Sequence, residues 1–206
     1  MKALAINGSP RPGGNTEIML KKVLEPLAAT GWDTEMLRIG GKAVRGCMAC
    51  MKCVEKKNGR CIIETDPINE YLEKMYAADA IILGSPTYFA DVTSELKALI
   101  DRAGFVALAN CGAFSGKIGT AVVAVRRGGA THVFNTINNM FLISSMIVPG
   151  SLYWNLGMGT DKFDVIDDDE ALRKMSHLGQ TIAWLGAAIN SVSATSPFPK
   201  SAVELH

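Results

Sequence analysis

The chain has 206 residues, of which 21 are basic, 20 acidic and 48% hydrophobic, and this near-neutral balance gives no basis for a nucleic-acid or membrane partner. No stretch reaches the roughly 20 apolar residues of a membrane span. Five cysteines are too few for a disulfide scaffold, and the apolar run before Asn7 is too short for a secretory signal, so a cytoplasmic protein is expected.

Short apolar runs alternate with segments of helical period, the pattern of parallel strands joined by crossover helices. Ala3 to Asn7 reads as the first strand, and Thr16 to Ala29 as a helix with Ile18, Met19, Val23 and Leu27 on one face, closed by Gly31. Asp33 to Ile39 alternates less cleanly and reads as an edge strand. A cysteine-rich loop occupies about 45–62. Asp66-Pro67 then opens a helix with Ile68, Leu72 and Met75 inward, and Ala80 to Gly84 is apolar throughout, as a strand covered on both faces should be. Thr93 or Ser94 caps a helix carrying Leu96, Leu99 and Ile100. Ile118 to Val125 is the fourth strand and His132 to about Ser145 the next helix. Ile147 to Trp154 reads as a fifth strand interrupted by Pro149-Gly150, and Asp168 to Asn190 as a closing helix with acidic residues in its first turn. The tail, 191–206, has no period and is expected to be loose or to wrap a neighbour. No linker or repeat divides the chain, so one domain over 1–206 is expected. Ten methionines and a mean hydropathy of +0.17 indicate apolar surface of the kind subunits bury between them.

Such elements fit an α/β doubly wound five-stranded sheet of order 2-1-3-4-5, with helices on both faces, a cysteine-rich loop insertion and a ligand outside the carboxyl ends of the strands. Three loops fall there. GSPRPGGNT (Gly8–Thr16) runs straight into a helix, and its N–H groups with Ser9, Arg11, Asn15 and Thr16 suit an anion. It matches neither GxGxxG nor GxxxxGK[ST], so a monophosphate fits better than a dinucleotide; the plain alternative is a tight turn capped by Asn15 or Thr16. GSPTYFADVTS (Gly84–Ser94) offers Pro86, Tyr88 and Phe89 to a planar ring, or else plugs the end of the core. VRRGGATH (Val125–His132) offers Arg126, Arg127, Gly128 and Gly129 to a ligand, or else is a solvated turn.

Cys47, Cys50, Cys53 and Cys61 are separated by two, two and seven residues, a spacing that can wrap a [4Fe-4S] cluster. Four thiolates also suit zinc, and the set can stay free. Lys56, Lys57 and Arg60 lie beside it. Cys111 has no local partner and reads as a small buried hydrophobe. The three histidines, His132, His177 and His206, suggest no conventional catalytic group, although His132 follows the RRGG loop.

GSPRPGGNT, the CxxCxxC segment, IILGSPTYFADVTSELKALIDR and the RRGG loop together resemble the flavodoxin-fold NAD(P)H-dependent FMN reductase family, in its iron-sulfur flavoprotein branch, over about residues 1–155. The resemblance implies FMN with its phosphate on Ser9, Arg11, Asn15 and Thr16, its ring on Pro86, Thr87, Tyr88 and Phe89, and its other edge on Arg126 to Gly129. It implies a [4Fe-4S] cluster on Cys47, Cys50, Cys53 and Cys61, NAD(P)H as donor, and a homodimer or homotetramer. The expected activity is electron passage between NAD(P)H or ferredoxin and a small-molecule or protein acceptor. The alternatives are a non-enzymatic FMN electron-transfer module and a flavin-only reductase of FMN or quinone whose cysteines are structural or free.

Overall fold

The computed structural model describes residues 1–199. Strands β1 (Lys2–Asn7), β2 (Asp33–Arg38), β3 (Ala80–Pro86), β4 (Ile118–Val125) and β5 (Leu156–Met158) form one parallel sheet in the order β2-β1-β3-β4-β5. Residues of a strand point alternately to its two faces, so β1 feeds two cores at once. Leu4 and Ile6 join Leu72, Leu83, Leu99 and Phe141 on one side, while Ala3 and Ala5 join Met19, Leu20, Ile82, Val122 and Leu178 on the other. Helices α3 (Ile68–Ala77), α4 (Ser94–Ala109) and α5 (Ala130–Ile143) cover the first side. Helices α1 (Asn15–Ala29) and α6 (Asp169–Val192) cover the second, packed directly on each other. Each fully buried Leu or Ile contributes about 1.5–3 kcal/mol. No helix among the described residues is long and apolar enough to cross a membrane.

The fifth strand differs from the sequence expectation. Ile147 makes one isolated bridge to Ile118, after which Pro149 removes a ladder donor and the chain leaves the sheet. Leu152, Tyr153 and Trp154 are at least half exposed, and the true strand follows, pairing Leu156, Gly157 and Met158 with Val123, Ala124 and Val125. Asn155 makes the splice: its buried amide donates to Thr120 Oγ1 and to the Ala121 carbonyl, while its own carbonyl accepts from Val123. Helix α5 starts two residues earlier than expected, because Gly129 (φ 88°) provides the left-handed turn that launches it.

Within the cysteine loop lies a short helix, α2 (Lys52–Lys56), that no sequence period announced. Asp168, expected as the first residue of α6, stands one position ahead of it as the cap, accepting from the Ala171 N–H at 2.9 Å. That helix continues to Val192, slightly past the expected start of the tail, and Phe198 lies close over Gly116. The rest of the expected loose tail, residues 200–206 with His206, lies outside the described residues.

Candidate flavin and cysteine sites

The carboxyl ends of β1, β3 and β4 are stitched together by their own loops. Gly8 N–H donates to the Gly84 carbonyl at 2.7 Å, and Thr93, just ahead of α4, donates its hydroxyl to the Gly8 carbonyl at 2.8 Å. Thr87 donates both its N–H and its hydroxyl to the Ala124 carbonyl, at 2.9 and 3.2 Å. A Cβ on Gly129 would sit 3.2 Å from Ala90 Cα, so the loops after β3 and β4 touch there.

The result is a crevice of about 270 Å³ lined by Ser9, Arg11, Asn15, Thr16, Pro86, Thr87, Tyr88 and Arg126. Helix α1 opens onto it behind Gly14 with no side-chain cap among the described residues, so its positive end faces the cavity. The capping role considered for Asn15 and Thr16 is therefore not the one they play. Asn15 instead crosses to the loop after β5, donating to the Asp161 carbonyl at 2.9 Å, and Arg11 reaches the Thr160 carbonyl at 3.4 Å. Glu17 folds back on the Gly13 N–H at 2.8 Å. Its carboxyl is held below its ordinary range chiefly by Lys21, against the opposing effect of burial. At the floor, Asn7 accepts from the Ser9 N–H, while its own amide nitrogen is buried without a partner among the described residues.

The remaining expected residues divide. Arg127, Gly128 and Gly129 line an adjoining cavity of about 730 Å³ with Tyr153, Met158 and Lys174. Phe89 lines neither cavity: it is fully exposed with φ 46°, and Tyr88 is 43% exposed, so this pair does not plug the core. His132 is exposed on α5, 3.7 Å from the Asp91 carboxylate. His177 faces Thr181 on its own helix.

Sequence reading missed the fourth wall, Gly159, Thr160, Asp161 and Lys162. This loop follows β5 and was hidden by the misplaced strand. Its signal is Gly159, where an added Cβ would lie 2.3 Å from Asn15 Nδ2.

The second site is the cysteine loop. Cys47, Cys50, Cys53 and Cys61 all line one small, mainly apolar cavity, closed by Met48, Met51, Ile62 and, from α4, Arg102, Phe105 and Val106. Ala49 (φ 50°) lies between the first two cysteines and Met51 (φ 56°) between the next two. Each left-handed residue costs about 1–2 kcal/mol, and the two reversals bring three thiols to one wall. The Ala49 N–H donates to Cys47 Sγ at 3.4 Å. Burial, then the neighbouring Cys47 and Cys50, push the Cys53 thiol up.

Cys61 is held from both sides: Asn69 of α3 accepts from its N–H at 2.8 Å and donates to its carbonyl at 2.9 Å, and Arg102 Nε donates to its sulfur at 3.3 Å. Among the described residues no three His, Cys, Asp or Glu side chains are arranged around a single metal ion. Cys111 does not fit the expectation of a buried hydrophobe. It is exposed in a left-handed turn (φ 58°) that ends α4 with Gly112.

A parallel sheet of this order, with its crevice at the switch between β1 and β3 and an uncapped helix aimed into it, defines a flavodoxin-fold protein. Among solved structures, a flavodoxin from the domain Archaea superposes with TM-score 0.60 at 19% identity, covering 91% of this chain and 99% of that one. A WrbA-like flavodoxin from Agrobacterium tumefaciens gives 0.64 at 14% identity, covering 91% and 98%.

Sequence narrows the class further. Residues 1–161 match the NADPH-dependent FMN reductase family, and the chain belongs to it, in the iron-sulfur flavoprotein branch. An iron-sulfur flavoprotein of Methanocaldococcus jannaschii is 38% identical over 195 residues, covering 89% of this chain and 96% of the relative. One from Methanosarcina thermophila is 36% identical over 152 residues, covering 73% and 78%.

Proposed function

We propose that the protein is an FMN-dependent oxidoreductase that passes electrons between NAD(P)H or ferredoxin and a small-molecule or protein acceptor, using FMN and a [4Fe-4S] cluster. The observation that carries this reading is the convergence of the loops after β1, β3 and β4 on one crevice at an uncapped helix end. The residues present fit FMN. Ser9, Thr16 and the first-turn N–H groups of α1 would hold the phosphate, with Arg11 and Lys162 supplying positive charge nearby. Pro86, Thr87 and Tyr88 would flank the ring, with Phe89 beside it, and Arg126 to Gly129 would meet its far edge. Asn15 braces the phosphate loop against the 159–162 segment.

The donor set at the cysteines fits an iron-sulfur cluster. A cluster takes one thiol per iron, and Cys47, Cys50, Cys53 and Cys61 supply four thiols along one mainly apolar wall. When bound, FMN supplies hydride chemistry and the cluster single-electron exchange. The chain's residues provide the rest. Tyr88 and the arginine loop orient the ring, Met48, Met51 and Phe105 form the apolar lining beside the thiols, and Arg102 satisfies the sulfur of Cys61. The proposal extends to a homodimer or homotetramer, supported by the adjacent exposed Leu152, Tyr153 and Trp154.

Anaerobic stopped-flow mixing with NADPH and with NADH, on protein of measured flavin and iron content, tests this. Bleaching of the flavin by either donor is expected. No bleaching with either would reduce the protein to an electron-transfer module, and full flavin with no iron would leave a flavin-only reductase.

A further inference from the structure

Arg102 is the largest fully buried side chain of the chain's described core, 1% exposed on the apolar stripe of α4 that also carries Leu99, Ala103 and Val106. A buried guanidinium is costly unless its donors are matched, and here four partners share its planar fork. Nη1 donates to Asp66 at 2.5 Å and to the Arg45 carbonyl at 3.0 Å, Nη2 to the Ile63 carbonyl at 3.0 Å, and Nε to Cys61 Sγ at 3.3 Å. Arg45 lies just before the first cysteine and Ile63 just after the last. One side chain thus clasps both ends of the cysteine loop and touches one of its sulfurs. Asp66 already neutralises the ion, so charge pairing alone does not call for the fourth contact.

We propose that Arg102 is a positioning residue for the cysteine-bound cluster: it fixes Cys61 on the cavity wall and, through its N–H to sulfur bond, makes the cluster easier to reduce. This rests on the cluster reading given above. Reduction adds negative charge to the cluster and its sulfurs, and an N–H donor aimed at one of those sulfurs stabilises that state. Lysine cannot replace it. An ammonium can reach Asp66, but it has no second donor along its stem to meet the sulfur as Nε does.

The test compares wild type, Arg102→Lys and the double variant Arg102→Met/Asp66→Asn, all purified without oxygen. The double variant removes both buried charges, so neither is left unpaired. Iron and FMN per chain are measured, and each centre is titrated electrochemically, the cluster by electron paramagnetic resonance. Both variants should keep FMN at its wild-type potential. Their cluster should be harder to reduce, with the reduced-to-oxidised ratio at fixed potential down about tenfold, equivalent to 59 mV for a one-electron couple. Loss of iron with FMN retained also supports the positioning role. Wild-type iron content and an unchanged cluster midpoint in both variants would overturn it. So would loss of FMN together with iron in both, which marks a folding role alone. Wild-type protein devoid of iron would remove the cluster reading itself, and this inference with it.

Discussion

Thr16 offers the sharpest test of the phosphate site. It is 1% exposed, yet it lines the crevice from the first turn of α1, while its Cγ2 packs against β3 at Gly84. Thr16→Val keeps the shape and the methyl group and deletes only the hydroxyl, and the two residues have similar helix propensity, so the apoprotein should hold its stability to within about 1 kcal/mol. A hydrogen bond to a charged group is worth about 1.5–3 kcal/mol. At 1.4 kcal/mol per factor of ten, FMN should bind roughly 10- to 150-fold more weakly. Riboflavin has the same ring without the phosphate and should bind both proteins alike. Apoprotein is titrated with each flavin and the quenching of flavin fluorescence followed, with thermal melts of the apo forms as the folding control. If riboflavin weakens by the same factor as FMN, or FMN binding does not change, the phosphate does not sit at α1.

Gly159→Ala should also weaken FMN, because its Cβ would force Asn15 off the Asp161 carbonyl and shift the fourth wall. Equilibrium dialysis giving wild-type affinity would show that wall to be dispensable. Cys50→Ala should abolish bound iron and leave FMN stoichiometry intact on elemental and absorbance analysis; loss of both would make the cysteine loop part of the folding core. Asp66 should give the acid limb a measurable slope. Burial would raise its pKa, but Arg102 and the N–H groups of Arg45 and Ile68 hold it below the ordinary value. A depressed carboxyl stabilises the fold above its unfolded pKa of about 3.9 and loses that contribution as pH falls through the folded value. Asp66→Asn should therefore cost about 3–5 kcal/mol at pH 7, and the gap to wild type should narrow below about pH 4. A gap in urea midpoints that stays constant down to pH 3 would refute the assignment.

Much of this was legible because parallel strands announce themselves by continuous apolar runs, and because turn residues cluster at the ends that hold ligands. Gly8 to Thr16, Pro86 to Tyr88 and Arg126 to Gly129 lie where the sheet order places them, while Phe89 turns out to solvent. The fifth strand was not legible: Leu156–Met158 is three residues long with a glycine at its centre, and Gly157 is there because Met19 Sδ fills the space a side chain would take. The more apolar Ile147–Trp154 outweighed it, and with it went the 159–162 wall. The left-handed turns at Ala49 and Met51 leave no trace in composition. Arg102 did leave one. A charge at the spacing of Leu96, Leu99 and Val106 marks a buried ion and invites a search for its partners.

The two rims of the sheet are poor templates for a further strand. One is the three-residue β5. The other, β2, carries charges along its length, with Glu35 bridging Lys2 and Lys74 and Arg38 at its end. Short or charged margins deter backbone-to-backbone addition. The dimer or tetramer proposed above would therefore be joined through side chains, on a surface such as Leu152 to Trp154, leaving five strands in the sheet of each copy.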